Sequence, residues 1–319
     1  MKNGIHTIDT HFLGRAELAA AYLLVEGDRA AFVDNNTNAA VPRLLAALED
    51  HELTPEQVEY LIITHVHLDH AGGTSALARA CPEAKVVAHP RAAPHVIDPS
   101  KLVASASAVY GQAEFDRVYG TIEPVDEHRV KVMDDEQVLH LGARELRFLH
   151  TRGHANHHFC IADERSGSIL AGDAFGLVYP GLQAEGTFAF PSTSPTDFEP
   201  ELAREAVDRL VAETPECIYV THFGAVTDIQ VAADQLRRHL DFAERLRDEA
   251  EASDRPDEEL EGYCRARLSD YFAGLLDGRG RLGGQSQTWS QLQLDMDLNA
   301  QGIAFAANKR RRKARAADA

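Results

Sequence analysis

The stretch from Tyr60 to Gly73 reads Tyr-Leu-Ile-Ile-Thr-His-Val-His-Leu-Asp-His-Ala-Gly-Gly. Its first four residues, 60–63, are apolar or aromatic, a pattern that predicts a buried central strand. The two glycines at its end are followed by Thr74 and further small residues, a pattern typical of a helix start. The histidines and the aspartate between these two elements are therefore predicted to lie at the carboxyl end of a strand.

Three histidines and one aspartate fall within the six residues 65–70. Imidazole and carboxylate groups are the usual protein ligands of zinc, manganese and iron. In an extended segment, residues two apart share a side, so His65 and His67 can reach one ion together. Once the chain turns into the helix this alternation ends, so Asp69 and His70 are aimed elsewhere, which points to a second ion. The alternative is a polar loop with surplus histidines, and the ligands found later in the chain argue against it.

The chain has 319 residues, enough for one large domain or two smaller ones, and its 44% hydrophobic and 26% charged residues are ordinary for a globular protein. Its formal net charge of −18 predicts repulsion of nucleic acid and of anionic membranes. The exception is the basic segment Lys309–Arg315, which is either a nucleic-acid tail or a solvated chain end. The acidity of the chain favours the solvated end.

No apolar run approaches the length of a membrane helix, and the first residues lack the apolar core of a signal peptide. A cytoplasmic location is therefore the expectation, with a small-molecule substrate and with neither nucleic acid nor membrane as partner. The four cysteines form no Cys-x-x-Cys pair and are expected to be buried free thiols.

Predicted strands alternate with predicted helices, which favours an α/β fold of sheets covered by helices. Three further polar groups stand directly behind predicted strands, at Gly153-His154, Gly172-Asp173 and His222. The carboxyl ends of neighbouring strands meet at one edge of a sheet, so these side chains are expected to converge with those of 65–70. The predicted strands are 5–9, 20–25, 30–33, 60–63, 85–88, 129–132, 137–141, 144–149, 158–162, 168–170 and 217–220, and the main predicted helices are 41–50, 74–80, 99–111, 197–213, 228–252, 258–276 and 287–308.

At these positions the sequence resembles the metallo-β-lactamase-fold hydrolases. The signature Thr-His-x-His-x-Asp-His is intact as Thr64–His70, and the later Gly-His, Gly-Asp and terminal His elements stand at Gly153-His154, Gly172-Asp173 and His222. The resemblance covers residues 5 to 230. Its ordered set of seven ligands is specific for the superfamily rather than for a substrate.

The resemblance implies a four-layer αβ/βα sandwich of two facing mixed sheets, with helices outside and added C-terminal helices. It divides the chain into a catalytic domain at 1–230, a helical extension at 231–308 and a basic tail at 309–319 that is expected to be disordered. A glycine-rich stretch at 277–284 is a predicted flexible joint. The extension resembles the helical C-terminal additions of glyoxalase II and its relatives, and it either covers the pocket or pairs with a second subunit in a homodimer.

The resemblance also implies a dinuclear metal site. Its ligands are, for the first ion, His65, His67 and His154; for the second ion, Asp69, His70 and His222; and, bridging the two, Asp173. Two divalent ions are expected, with zinc first and iron or manganese as alternatives. Such ions lower the pKa of a bound water to about 7, so a bridging hydroxide would attack a carbonyl or phosphoryl centre. Asp69 is also placed to accept a proton from that water.

A long loop, Phe175–Pro195, follows Asp173 and interrupts its aromatic residues with glycine and proline. Ordinary connections run about 4–6 residues, so this loop is predicted to be either a lid or pocket wall, or a surface excursion with its own small cluster. Tyr179 is the best local candidate for an oxyanion donor, against the alternative of a packed loop aromatic. Asp34, at the site edge, and the pair His157-His158, as groups that orient a ligand, are further candidates.

The leading interpretation is a dinuclear hydrolase of an ester-like bond, with thioesters or lactones ahead of β-lactams and phosphodiesters. The main alternative is redox chemistry, because persulfide dioxygenases carry a similar motif but hold one iron at the positions of His65, His154 and Asp173. Flavodiiron reductases usually have glutamate at the position of His67 and append a flavin domain, which counts against them. A third class, a protein that binds metal without turnover, is disfavoured because the ligand set is complete.

Overall fold

The computed structural model describes residues 4–193, 196–277 and 287–317. Contacts between Cα atoms divide the chain into two compact units. The first unit contains the residues up to His150, His157–Gly172 and Thr214–Thr227, and the second contains Thr151–Asn156, Asp173–Glu213 and the residues from Asp228 onward. Most of the predicted joint at 277–284 lies outside the described residues.

A mixed sheet of six strands is found in the described part of the first unit. Its strands, in hydrogen-bonded order, are β1 (Ile5–Asp9), β2 (Ala20–Glu26), β3 (Arg29–Val33), β4 (Val58–Ile62), β5 (Lys85–Ala88) and β6 (Val130–Val132). The pairs β1–β2 and β2–β3 are antiparallel, and the following three pairs are parallel. Because β3 and β4 are parallel neighbours, the residues that follow them, Asp34 and 63–70, leave the sheet at the same edge.

The second sheet is also mixed. Its strands, again in hydrogen-bonded order, are β7 (Val138–Leu141), β8 (Arg144–Thr151), β9 (His158–Asp163), β10 (Ser168–Leu170), β11 (Cys217–Val220) and β12 (Gly224–Val226). The pairs β7–β8, β9–β10 and β11–β12 are antiparallel, whereas β10 and β11 are parallel. Residues 171–173 and 221–222 therefore follow strands that end at one edge.

The α-helices lie between and after these strands. They are α1 (Val41–Glu49), α2 (Leu68–Ala71), α3 (Thr74–Ala80), α4 (Ala93–Ile97), α5 (Ser100–Tyr110), α6 (Gln112–Val118), α7 (Pro200–Ala212), α8 (Ile229–Ala252), α9 (Leu260–Asp277) and α10 (Gln287–Ala317). Two mixed sheets with flanking helices, followed by C-terminal helices, confirm the predicted α/β sandwich. No helix in the described part of the chain is both long and apolar enough to cross a membrane.

Strands β2 and β3 are buried on both faces, because successive residues point into different apolar clusters. Leu23 packs with residues of α1 and α3, whereas Leu24 packs into the cluster shared by strands of both sheets. Burial of each such side chain contributes about 1.5–3 kcal/mol. The cluster that contains Leu23 also includes Ala21, Phe32, Leu44 and Leu77. The cluster that contains Leu24 also includes Tyr22, Val33, Phe148 and Phe159. The unbroken apolar runs of these strands are explained by this two-sided burial.

The ends of the predicted strands differ from the observed ends by at most two residues. A capping box formed by Thr54 and Gln57 starts a 3-10 turn just before β4. Helix α4, with five residues, is too short to show a helical period and was not predicted, and neither was α6. The cysteines are free thiols as predicted, although Cys217 is only partly buried.

The segment 175–193 is a packed part of the second unit rather than a surface excursion. Its aromatic residues are buried, and the remaining two loop positions, 194 and 195, lie outside the described residues. Gln235 of α8 accepts a hydrogen bond from the backbone N–H of Ala189, at 2.8 Å. Asn299 of α10 accepts one from the backbone N–H of Thr193, at 2.7 Å. The two helices therefore fix the backbone of this segment.

The basic segment Lys309–Arg315 is helical, so the prediction of a disordered tail at 309–319 is wrong for its described part. Arg311 is 8% exposed, and its guanidinium donates hydrogen bonds to the carbonyl of Ala250, at 2.6 Å, and to the carboxylate of Asp257, at 3.0 Å. The carbonyls at the end of a helix have no partner within that helix, and Arg311 supplies one for α8.

The contact-based units also differ from the predicted boundary at residue 230, because 151–156 and 173–213 group with the C-terminal helices.

A fully buried ion pair joins β8 to β9 in the first unit. The side chains of Arg144 and Asp163 have no exposed area, and Nε of Arg144 donates to Oδ1 of Asp163 at 3.0 Å. The same guanidinium donates to the carbonyl of Gly4, at 3.1 Å, and so holds the chain that leads into β1. Loss of either partner would leave a buried charge without compensation.

We expect Asp163→Asn to lower the free energy of unfolding by about 3–5 kcal/mol, because the guanidinium of Arg144 would keep its charge and lose its counter-ion. The neighbouring Glu164 pairs with Arg147 at the surface, at 3.2 Å, so Glu164→Gln is a matched control that should cost less than about 1 kcal/mol. Urea unfolding at pH 7 measures both values. Equal losses in the two variants would contradict the assigned role of the buried pair.

A second stability prediction concerns His89. Burial, together with the neighbouring His150, lowers the pKa of His89 from 6.5 to about 3. Between these two values the unfolded chain binds more protons than the folded chain, so stability falls as the pH falls below 6.5. In His89→Asn, whose amide oxygen can still accept the N–H of Arg91, the loss of stability of metal-free protein between pH 6.5 and pH 5 should be smaller by about 2 kcal/mol. An unchanged pH dependence in urea unfolding would refute this assignment.

Candidate metal centre

The loop between β4 and α2 carries His65 and His67. Val66, between them, packs into the cluster formed with α1 and α3, so the two histidines face the opposite side of this extended segment. Nε2 of His65 lies 2.8 Å from Nδ1 of His67. His65 is fully buried, and Nδ1 of its ring lies 3.1 Å from the hydroxyl of Thr64. One nitrogen of each ring is thus directed to a common point.

Asp69, His70 and His222 form a second group within the first unit. Oδ2 of Asp69 lies 3.2 Å from Nε2 of His222 and 3.7 Å from Nε2 of His70. Nitrogen and oxygen ligands that surround a tetrahedral zinc ion at about 2.0–2.1 Å are about 3.3 Å apart. One carboxylate and two imidazoles are donors that bind divalent cations. The distances between them, 3.2 and 3.7 Å, are close to the distance between neighbouring ligands of one such ion. One ligand atom of His65 also lies within 4.8 Å of one of His70.

The tautomers of His70 and His222 follow from their other contacts. Nδ1 of His70 lies 2.7 Å from a carboxylate oxygen of Asp34, and Nδ1 of His222 lies 2.8 Å from the carbonyl oxygen of Leu18. Carboxylate and carbonyl oxygens only accept hydrogen bonds, so each Nδ1 carries the proton and donates it. The Nε2 atom of both rings faces Asp69, and in the neutral form of such a ring Nε2 is the nitrogen that carries the free lone pair. This is the state in which a neutral imidazole binds a metal ion.

His154 and Asp173 lie together in the second unit. Nε2 of His154 is 3.5 Å from Oδ2 of Asp173, and Nδ1 of His154 donates to the carbonyl of Ser192 at 3.1 Å. Gly153 has a φ of 104°, and a Cβ there would lie 2.1 Å from the backbone nitrogen of Ala203. Glycine is therefore required where the chain delivers His154. That this pair completes a site with the five predicted ligands of the first unit stays a prediction.

Tyr179 is buried in the second unit, with 2% of its surface exposed. Its hydroxyl donates a hydrogen bond to Oδ1 of Asp295, at 3.2 Å. The hydroxyl proton is thus engaged by a carboxylate of α10, as expected for the alternative of a packed loop aromatic. The role of oxyanion donor stays a prediction, without support from this geometry.

Asp34 was predicted from the sequence to lie only at the edge of the site. It is 1% exposed and accepts hydrogen bonds from the backbone N–H of Thr64, at 2.8 Å, from Nδ1 of His70, and from the hydroxyl of Thr221, at 3.0 Å. Its carboxylate therefore joins the ends of β3, β4 and β11. The sequence signal for this role is its position at a strand end, directly before two asparagines.

Other polar groups pack around the predicted ligands of the first unit. The ring of His158, which is 1% exposed, lies 4.9 Å from that of His65, and Nδ1 of His157 accepts the N–H of Val66 at 3.5 Å. The hydroxyl of Tyr22 donates to the carbonyl of Val220, just before the strand end that carries His222, and burial raises its pKa well above 10. These contacts fix the backbone on both sides of the site. The carbonyls of Leu18 and Ser192, which orient histidines, carry no side-chain signal that the sequence could reveal.

The chain matches one known protein family and several known proteins. The model of the metallo-beta-lactamase superfamily matches residues 14–222. A metallo-beta-lactamase fold-containing protein from Sulfurisphaera tokodaii is 24% identical over 241 residues, which are 74% of this chain and 84% of that protein. Coenzyme F420H2 oxidase from Methanothermobacter marburgensis is 29% identical over 160 residues, which are 49% of this chain and 34% of the oxidase.

Solved structures show the same fold. An archaeal metallo-beta-lactamase superfamily protein from Sulfolobus tokodaii aligns with a TM-score of 0.65 and 19% identity, over 95% of this chain and 99% of that protein. A metallo-beta-lactamase family protein from Thermus thermophilus aligns with a TM-score of 0.60 and 20% identity, over 98% of this chain and 94% of that protein. The glyoxalase II branch stays a prediction, since these relatives do not place the chain there. The match of the family model over residues 14–222 shows that the chain belongs to the metallo-beta-lactamase superfamily.

Proposed function

We propose that this protein is a dinuclear metal-dependent hydrolase of an ester-like bond, with a thioester or a lactone as the favoured substrate. The observation that carries the proposal is the group of Asp69, His70 and His222, in which both histidines are buried. Both imidazoles are held through Nδ1, and both Nε2 atoms are directed at one carboxylate oxygen. Such an arrangement supports a cation in that position, because a ligand must be both deprotonated and oriented before it can bind.

The seven ligands are assigned in this proposal as the resemblance implies. The first ion would be held by His65, His67 and His154, the second by Asp69, His70 and His222, and Asp173 would bridge them. Bound divalent ions would lower the pKa of a water to about 7 and so supply a hydroxide nucleophile at neutral pH. Zinc is the favoured metal, and iron and manganese suit the same nitrogen and oxygen donors.

The protein's own residues would orient the reaction. Asp34, the carbonyl of Leu18 and the carbonyl of Ser192 each hold one imidazole by its Nδ1 proton, so the rings cannot rotate away from their position. Asp69 keeps 27% of its side chain exposed. Its carboxylate is therefore accessible to accept a proton from water, whereas His65 and His70 are enclosed.

Charge supports an ester-like carbonyl substrate over a phosphodiester. The formal net charge of the chain is −18, which opposes the approach of polyanionic substrates such as nucleic acid. Two divalent ions with two ligand carboxylates and one hydroxide would still carry a net positive charge. Such a site would stabilise the oxyanion that develops on a carbonyl substrate during attack. The substrate itself could be uncharged.

Redox chemistry is the second candidate, and one observation favours it. One relative is named as coenzyme F420H2 oxidase, and the match with this chain covers 34% of the length of that oxidase. The form of redox chemistry that we consider is a persulfide dioxygenase-like reaction at one iron, held by His65, His154 and Asp173. His67 supports the hydrolase instead, because flavodiiron reductases usually carry glutamate at that position.

The remaining expectations belong to the same proposal. They are a cytoplasmic location, a small-molecule substrate and a homodimer formed through the C-terminal helices. Size-exclusion chromatography with light scattering measures the last of these directly. A mass near the 35.0 kDa of one chain would refute the homodimer.

We expect protein purified without added metal to contain two equivalents of zinc, iron or manganese per chain and to turn over members of a thioester and lactone panel. Elemental analysis gives the first quantity, and product release gives the second. Removal of metal by a chelator should abolish turnover, and added metal should restore it. One iron per chain, with oxygen uptake on persulfides and no hydrolysis, would overturn the hydrolase proposal in favour of the redox candidate.

Asp173→Ala tests the proposed bridge. We expect kcat/KM for the best ester-like substrate to fall at least about 100-fold, because the carboxylate that both ions would share is lost. Asp116→Ala, which removes an exposed carboxylate on α6, is the control and should leave kcat/KM unchanged. Undiminished hydrolysis by Asp173→Ala would show that the bridging assignment is wrong.

A further inference from the structure

The loop after β3 is hydrogen-bonded to the segment that carries Asp69 and His70. Asn36, in this loop, is 2% exposed. Its side-chain Nδ2 donates to the carbonyl of Asp69 at 2.8 Å, and its backbone N–H donates to the carbonyl of His70 at 3.2 Å. Its own carbonyl accepts the N–H of Gly73 at 2.8 Å. One residue is thus bonded to two residues of the short helix α2 and to the second residue after its end.

The conformation of Asn36 explains how a single residue makes these contacts. Its φ is 55°, in the left-handed region, which asparagine tolerates better than most residues. This turn of the backbone brings the loop against Gly73, where a Cβ would lie 2.9 Å from the carbonyl oxygen of Thr37. The absence of a side chain at Gly73 therefore permits the close approach.

The orientation of the Asn36 amide is fixed by the same contact. A reversed amide would place Oδ1 against the carbonyl of Asp69, and two acceptors would face each other. In the observed orientation, Oδ1 is buried and has no hydrogen-bond partner among the described residues. Burial of an unpaired acceptor opposes folding. The amide is therefore held in place for its Nδ2 donor.

We infer that Asn36 is a positioning residue for the ion held by Asp69, His70 and His222, an inference that rests on the proposed two-ion function. A helix of four residues has little stability of its own, so α2 depends on such contacts to keep its shape. Asn36 fixes the backbone of two of the three ligands, and Asp34 fixes the ring of one of them. The hydrogen bonds of Asn36 to described residues involve Asp69, His70 and Gly73, and they leave His65 and His67 aside.

Asn36→Gly is the sharpest variant for a test. Glycine adopts a positive φ without strain, so the backbone contacts to His70 and Gly73 are retained while the bond from Nδ2 to Asp69 is lost. The probe is Co2+ added to chelator-treated protein, with binding followed by calorimetry and by the visible absorption of the bound ion. We expect one of the two binding steps to weaken about 10–100-fold, the usual effect of losing a group that supports a metal ligand.

Two backgrounds assign the weakened step. His67→Ala removes a ligand from the first ion, so the ion that remains reports on Asp69, His70 and His222. His222→Ala removes a ligand from the second ion, so the ion that remains reports on His65, His67 and His154. We expect Asn36→Gly to weaken Co2+ binding about 10–100-fold in the His67→Ala background and to leave it unchanged in the His222→Ala background.

Asn38→Ala is a matched control from the 3-10 turn that follows this loop. The side chain of Asn38 donates to two backbone carbonyls, those of Tyr119 and Thr121, each at 2.9 Å, and neither belongs to a ligand. This variant should lower the thermal stability of the metal-free protein and leave both Co2+ steps unchanged. A general loosening of the fold would affect both variants alike, whereas a positioning role affects Asn36→Gly alone.

The outcomes separate this inference from the proposed function. Two Co2+ steps in the wild-type protein with no weakening in Asn36→Gly would overturn the inference and leave the two-ion site intact. Equal weakening in both backgrounds, or by Asn38→Ala, would also overturn it. A wild-type protein that binds one Co2+ would overturn the two-ion proposal itself, together with the inference that depends on it.

Discussion

The buried carboxylate of Asp34 is the interaction on which the rest of this site depends. It is 1% exposed and accepts hydrogen bonds from Thr64, His70 and Thr221. These donors follow β4, lie in α2 and follow β11, so a single charged group joins three separate parts of the first unit. An ionised carboxylate in such a position is stable only when its hydrogen bonds are complete. The backbone of the ligand loop and the strand end that carries His222 are thus tied to one point.

The histidines depend on this framework for their chemistry. A neutral imidazole has two tautomers, and it binds metal through a chosen nitrogen only if the other is held. Asp34 holds His70, and the carbonyl of Leu18 holds His222. In the second unit the carbonyl of Ser192 holds His154 in the same way. The same device, a protonated Nδ1 directed at an oxygen, therefore recurs at three of the predicted ligands.

Much of this architecture could be predicted from the sequence because its signals are local. Apolar runs indicated the strands, and the spacing of His65, His67, Asp69 and His70 indicated the ligand loop. The orienting groups could not be predicted with the same ease, because a backbone carbonyl such as that of Leu18 has no signature in the sequence. The basic segment at 309–315 was misjudged for a related reason. Charge density alone suggests a solvated end, whereas Arg311 is buried against the end of α8, which is distant in the sequence.

The proposed centre holds two metal ions, one of them bound by Asp69, His70 and His222. Anomalous diffraction from crystals of the zinc-loaded protein, recorded at the zinc absorption edge, would locate these ions. We expect two anomalous peaks per chain, with one of them in contact with Oδ2 of Asp69 and with Nε2 of both His70 and His222. A single peak, or a peak that these three atoms do not contact, would contradict this proposal.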